Sequence, residues 1–461
     1  MHKVKVGDSI LIAQDGALLH DVLIGSGKSV EHPCGGRGVC RKCTVTVDGE
    51  QVLSCLYRVT HDITVILPEY GQIESVTGAD TFEVATDKVC YVLDIGTTTL
   101  ALALVSLENG KIVKVITDTN PQRMFGADVI SRIDYCTKNG AEKLQKVLLE
   151  AVEKMMQAIG MSAETLYIAG NTTMLHLFFG IDCASIGVAP YTPVFLETQN
   201  EAAANLGLTL VKNVISMPNI SAFVGSDIVA GLNLVGSPMS GKHDLLIDLG
   251  TNAEVVLFSE KDALCTAAAA GPCFEGANIS CGMSATAGAI SAYGEDGIKT
   301  IADAKPLGIC GTGLVDVIAV LLERGEIDET GFMECESYTL SEGVTLEGGD
   351  VRQYQLAKSA VNSAILTLMK LKNVGFEDIG NMYISGGFSA KINIKNAVKT
   401  GLLPKELESK CVTLNNSSLL GAVKYAFEQN ELSCLLDDTR YIDLSSDPDF
   451  SELFIENMMF E

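Results

Sequence analysis

Four cysteines carry the most specific chemistry in this sequence. Cys34, Cys40 and Cys43 crowd one glycine-rich stretch, Cys34-Gly35-Gly36-Arg37-Gly38-Val39-Cys40-Arg41-Lys42-Cys43, and Cys55 follows in Leu53-Ser54-Cys55. Glycines let backbone N–H groups turn inward toward inorganic sulfide, and four thiolates complete a ligand set. The spacing is close to the plant-type pattern with one extra residue in the first gap, which predicts a two-iron two-sulfur cluster that transfers one electron at a time. A structural zinc site is the rival, although zinc sites usually present two separate Cys-x-x-Cys knuckles; four unligated thiols are a further alternative. Cys265, Cys273 and Cys281 recur at equal intervals but sit among small residues, and are read with the isolated cysteines as packing groups.

A second chemistry is written twice. Asp94-Ile95-Gly96-Thr97-Thr98-Thr99 and Asp248-Leu249-Gly250-Thr251-Asn252 each end an apolar run on a carboxylate, a glycine and hydroxyls. Glycine allows close backbone approach, N–H and O–H groups donate to phosphate oxygens, and aspartate can hold hydrated magnesium. Two such loops facing each other would grip one polyphosphate, whereas a single copy is equally an ordinary hairpin turn. Ser385-Gly386-Gly387-Phe388-Ser389 follows another apolar run and suits an adenosine-binding turn. Cys310-Gly311-Thr312-Gly313-Leu314 is a glycine turn opening a helix, fit for a phosphate or for helix packing. The Gly-x-x-x-x-Gly-Lys-Ser/Thr loop of the other large ATPase class is absent from the sequence.

The elements that must position these groups change character along the chain. Residues 1–70 contain short β-rich runs, Lys42 to Val47 turning at Asp48-Gly49 and Ile63 to Leu67, around one brief helix near Leu18 to Ile24. That is the scale of a small α+β domain. Residues 71–88 read as a polar, acidic linker. From Val89 the pattern is α/β, and it repeats: beside the paired Asp-x-Gly-Thr turns, Tyr167-Ile168-Ala169-Gly170-Asn171 is echoed by Tyr383-Ile384-Ser385-Gly386-Gly387. Two echoes in the same order predict a duplicated unit with lobes at 89–240 and 241–461 and a cleft between them. The helices expected over 141–159 and 353–371 are scaffold, and the apolar residues of 434–461 are expected to pack back onto the second lobe.

Composition narrows the partners. Lys and Arg total 33 against 58 Asp and Glu, a surface that repels nucleic acid at long range. No run approaches the roughly 18 to 20 apolar residues that cross a bilayer, and the first residues lack a secretion signal, so a cytoplasmic protein without membrane partners is expected. Its 14 cysteines are then thiols or metal ligands rather than disulfides.

Together the residues from Val89 to Phe427 resemble the superfamily of acetate and sugar kinases, heat-shock chaperones and actin. The resemblance implies a duplicated actin-like ATPase fold that binds ATP and magnesium. Within it, Val224-Gly225-Ser226-Asp227 looks like the segment that carries the catalytic aspartate of sugar kinases. Asp227 is the expected water-orienting residue, with Glu275 of Gly271-Pro272-Cys273-Phe274-Glu275-Gly276 as a second candidate; a helix N-cap is the alternative role for Asp227. A cluster domain fused ahead of this ATPase is a narrower match and resembles the reductive activators of corrinoid-dependent methyltransferases. Asn120-Pro121-Gln122-Arg123-Met124-Phe125-Gly126-Ala127-Asp128-Val129-Ile130-Ser131-Arg132 and Gly170-Asn171-Thr172-Thr173-Met174 agree with it.

That resemblance implies a ferredoxin-like β-grasp domain, a corrinoid protein as partner, an upstream low-potential electron donor, and one-electron reduction of Co(II) to Co(I) coupled to ATP; a homodimer is the oligomer considered. Other readings are an electron donor to a different low-potential enzyme, a small-molecule kinase with a structural cluster, and a nucleotide-gated interaction protein. Against longer members, the stretch from Cys43 to Cys55 is short and no additional domain separates the two parts.

Overall fold

The computed structural model describes residues 1–7, 9–26, 28, 30, 43–67, 88–387, 389–429, 432 and 436–460. Cys34, Cys40, Phe388, Cys434 and residues 71–87 of the expected linker lie outside the described residues.

The N-terminal residues form a five-stranded sheet in the order Ser9–Ala13, His2–Val6, Ile63–Ile66, Thr44–Val47, Glu50–Leu53. His2–Val6 and Ile63–Ile66 run parallel, and the other neighbours are antiparallel. Alternation decides which side is buried: Ile63 and Val65 face inward, Thr64 and Ile66 outward. The hairpin between Thr44–Val47 and Glu50–Leu53 turns on Asp48 and Gly49, both at positive φ, as a two-residue turn matched to strand twist requires. The short helix Leu19–Gly25 drives Leu19 and Leu23 into the same core, where Cys43 and Cys55 also lie.

The rest is built on two six-stranded sheets with the same plan. In the first, Ile112–Thr119, Thr99–Ser106 and Val89–Ile95 form an antiparallel meander, and Thr165–Gly170 then joins Val89–Ile95 in parallel. In the second, Ala263–Ala268, Ala253–Phe258 and His243–Leu249 form the meander, and Ile379–Ser385 joins His243–Leu249 in parallel. The central strands are covered on both faces and so read as continuous apolar runs; in Val89–Ile95 every residue except Asp94 is buried. Helices connect the parallel strands, as such crossovers require. Glu142–Ile159 buries Leu144, Leu148, Val152, Met155 and Met156 along one face and stops at Gly160, whose φ of 82° is left-handed.

Two helices bind the lobes by exchange. Ser226–Val235, which leaves the first lobe, packs Ile228 and Leu232 against Leu246, Val256 and Phe258 of the second sheet. Ser417–Glu428, which leaves the second, packs Leu419, Ala422 and Ala426 against Val92, Ala101 and Ala103 of the first. They cross at Gly421, where a Cβ would stand 1.8 Å from the Ala230 carbonyl oxygen, so any side chain there would push the helices apart. The C-terminal helix Pro448–Glu456 packs on the long helix Gly348–Lys372, and Phe460 enters the second lobe's core. Among the described residues no helix is long and apolar enough to cross a membrane.

Candidate nucleotide cleft and sulfur site

Each central strand delivers a carboxylate at its end. Asp94 accepts a 2.7 Å hydrogen bond from Ser418 Oγ, across 324 residues of sequence, while burial holds its pKa above the usual carboxylate range. Burial pushes Asp248 up to about 6, opposed by a hydrogen bond from Ser385 and assisted by the charge of Asp94. Asp227 rises further, to about 7, through burial and then the charges of Asp248 and Asp94. The structure therefore brings Asp94, Asp227 and Asp248 into one electrostatic group contributed by both lobes.

Asp227 occupies the first turn of its helix, where Oδ1 accepts its neighbour's Ile228 N–H at 2.9 Å. The cap position belongs to Gly225, which corrects the N-cap alternative for Asp227. A Cβ on Gly225 would lie 2.5 Å from Asn171 Cα, so the missing side chain lets this helix start against the Gly170-Asn171 turn. Asn171 caps the helix Thr172–Phe179 by accepting from Met174 N–H at 2.9 Å.

Sequence reasoning missed Glu254. It stands directly opposite Asp248 in the antiparallel ladder, and burial followed by the charges of Asp227 and Asp248 drives its pKa well above the usual value. The available signal was a lone acid in Ala253-Glu254-Val255-Val256-Leu257-Phe258, an otherwise apolar strand. Glu275 is placed by the second loop: Thr251 Oγ1 donates to its Oε1 at 2.7 Å.

The glycines divide into two kinds. A Cβ on Gly96 would stand 2.6 Å from Thr99 O, and Gly386, at φ 107°, approaches Leu249 so closely that a Cβ would lie 2.2 Å from its carbonyl oxygen. The Gly386-Gly387 turn is thus pressed onto the second loop's own strand, while nothing lies within 4 Å of a Cβ on Gly387. Gly311 and Gly313 are packing residues instead. Their Cβ atoms would meet Phe274 O at 2.2 Å and Ile290 O at 2.0 Å, and Thr312 Oγ1 donates to Ser291 O at 2.8 Å. Of the two roles open to Gly311, Thr312 and Gly313 in the sequence, the structure supports packing, because both glycines are pressed onto backbone and the hydroxyl is already used.

In the N-terminal sheet domain, Cys43 Sγ and Cys55 Sγ are buried 3.2 Å apart, beyond the roughly 2.05 Å of a disulfide. The intervening turn is held by Ser54 N–H donating to Cys43 O at 3.0 Å. Ser54 Oγ is buried without a hydrogen-bond partner among the described residues. Two adjacent buried thiols beside an unsatisfied hydroxyl fit a sulfur-ligated inorganic group. Among the described residues no group of three or more His, Cys, Asp or Glu side chains is arranged to hold a metal ion. Cys265 and Cys273 are buried in separate cores, and Cys281 is half-buried beside Thr345.

Twin sheets joined by exchanged helices, with a carboxylate loop at the end of each central strand, define an ATPase of the actin-like, ASKHA class. The chain matches the family model described as the C-terminal domain of RACo, the ASKHA domain, over residues 242–461, and the RACo middle region over residues 89–238. It is 27% identical to the corrinoid activation enzyme RamQ of Eubacterium limosum, with 98% of each chain covered. It is 26% identical to the [Co(II) methylated amine-specific corrinoid protein] reductase of Methanosarcina barkeri, over 76% of this chain and 72% of that one. A solved structure, the reductive activator for corrinoid, iron-sulfur protein, matches with a TM-score of 0.73 and 25% identity, covering 100% of this chain and 98% of its own. The chain belongs to the RACo family, the reductive activators of corrinoid proteins.

Proposed function

We propose that this protein reduces the cobalt of a protein-bound corrinoid from Co(II) to Co(I), one electron per event, and that ATP binding and hydrolysis between its lobes make the transfer possible. The observation that carries this reading is the pairing, in one chain, of a buried two-sulfur site with a two-lobed carboxylate cleft. Residues 1–70 form the ferredoxin-like domain, 71–88 the linker, 89–240 and 241–461 the two ATPase lobes. Cys34, Cys40, Cys43 and Cys55 would hold a two-iron two-sulfur cluster, which when bound supplies electrons singly. An upstream low-potential donor replenishes them.

Each residue of the cleft has a separate task. Asp94 and Asp248 would hold hydrated magnesium, and the backbone of Gly96 to Thr99 and of Gly250 to Asn252 would meet the phosphates. Gly387 leaves room for adenosine, and Gly386 presses their turn onto the second loop's strand. Asp227, grouped with Asp94 and Asp248, would orient the attacking water and take its proton. ATP contacted by both lobes favours the closed arrangement, and a coupling of about 1 to 3 kcal/mol is what such a two-state element typically transmits to a second site.

Anaerobic purification followed by iron and sulfide analysis tests the sulfur site: about two of each per chain are expected, with loss in Cys55→Ser. Iron-free protein that still hydrolyses ATP would refute the electron-transfer half of the proposal.

A further inference from the structure

Arg132, on the helix Val129–Asn139, is 0% exposed and the largest fully buried side chain among the described residues. A buried guanidinium is costly unless a counter-charge or a full set of acceptors meets it. Its donors reach Gly126 O at 2.9 Å, Thr97 O at 2.5 Å, Met174 Sδ at 3.0 Å and Gln122 Oε1 at 3.4 Å. None of the ion pairs among the described residues includes it. Burial, and then the charge of Arg123, lowers its pKa to about 9, so it remains a cation at neutral pH; Asp128 and Glu275 act the other way from outside pairing distance.

What Arg132 holds is the first phosphate loop. Its Nη2 takes the Thr97 carbonyl, Asn120 Nδ2 takes the Gly96 carbonyl at 2.8 Å, and Asn120 N–H takes the Thr98 carbonyl at 2.9 Å. Three consecutive carbonyls are therefore drawn toward one segment of chain. In a trans peptide the C=O and the following N–H point in opposite directions. The N–H groups of Thr97 and Thr98 accordingly turn away from that segment, and neither donates to another described residue. Successive free amides on one side of a turn make a concavity for an anion.

We propose that Arg132 is a positioning residue for the triphosphate: it fixes the Thr97 carbonyl, aims the Thr97 and Thr98 amides at the phosphates, and has its own charge balanced by them. The proposal rests on the reading that the cleft binds ATP. Lysine can keep the charge but cannot reproduce a fork that serves several acceptors at once.

The test is calorimetric titration of the full-length protein, Arg132→Lys and Arg132→Met with magnesium AMP-PNP and, separately, with adenosine. AMP-PNP affinity should fall about 10-fold in the lysine variant and about 100-fold in the methionine variant, with adenosine affinity within about 2-fold throughout. Should Arg132→Met fail to fold, Arg132→Lys, checked by its melting temperature, decides alone. Unchanged AMP-PNP binding in Arg132→Lys, or a parallel loss of adenosine, overturns the positioning role. Wild-type protein that binds neither ligand overturns the ATP reading itself, and this proposal with it.

Discussion

The two Asp-x-Gly-Thr loops share a backbone plan and differ in electrostatics. Opposite Asp94 in the first ladder stands Ala101; opposite Asp248 in the second stands Glu254. The first loop is gripped through its carbonyls by Asn120 and a buried arginine. The second touches carboxylates, with Thr251 donating to Glu275 and Asp248 sharing its field with Asp227 and Glu254. Like charges opposed across a ladder are unfavourable, and with burial this raises the pKa of Glu254 well above its usual value. The two lobes offer equivalent frames, and side chains beyond the repeated turn make them differ: the first loop is held through its carbonyls, whereas around the second loop carboxylates gather, Glu254 from its own sheet and Asp227 from the helix that leaves the first lobe.

That difference can be broken most severely at Asp227. Asp227→Asn removes the proton acceptor and should lower kcat for ATP hydrolysis by roughly 10²- to 10³-fold with KM little changed; a loss residing mainly in KM would move Asp227 into phosphate binding and blur the contrast. A smaller effect comes from pH. Burial and mutual repulsion push Asp227 up to about 7, Asp248 up to about 6 and Glu254 well above its usual value in the folded protein, all above their unfolded values. The folded state therefore retains protons that the unfolded chain releases, and the nucleotide-free protein loses stability as pH rises from about 4 through about 7. Thermal melts should drop on the order of 5 °C across that window, and the drop should be shallower in Glu254→Gln, whose amide mimics the neutral acid. A variant melting curve as steep as the wild type's would show that Glu254 is ionised, or that the second loop holds no excess proton.

How much of this was legible in the sequence follows from how local each feature is. The Asp-x-Gly-Thr turns and the Tyr167 and Tyr383 echoes could be read because a strand, its terminal carboxylate and its turn are contiguous, and the twin sheets place both pairs on equivalent neighbouring interior strands. Cys43 and Cys55 meet because the Asp48-Gly49 hairpin that joins them is short, whereas the sequence groups Cys55 with the other three cysteines only as the fourth of a set. Glu254 escaped because its meaning comes from ladder register, which sets it opposite Asp248. Ser418, the partner of Asp94, lies 324 residues away on a helix that crosses to the other lobe, and no local pattern announces that exchange. Gly311 and Gly313 were ambiguous for the opposite reason: a glycine turn before a helix looks the same whether a phosphate or another backbone occupies the space.

The most direct measurement mixes the reduced protein anaerobically with a Co(II) corrinoid protein and follows the corrinoid spectrum with and without ATP. Co(I) should accumulate only when ATP and reductant are both present, and should fail to form with Asp227→Asn or Cys55→Ser. Equal Co(I) formation in the absence of nucleotide would contradict the account, because the two lobes would then have nothing to contribute to the transfer.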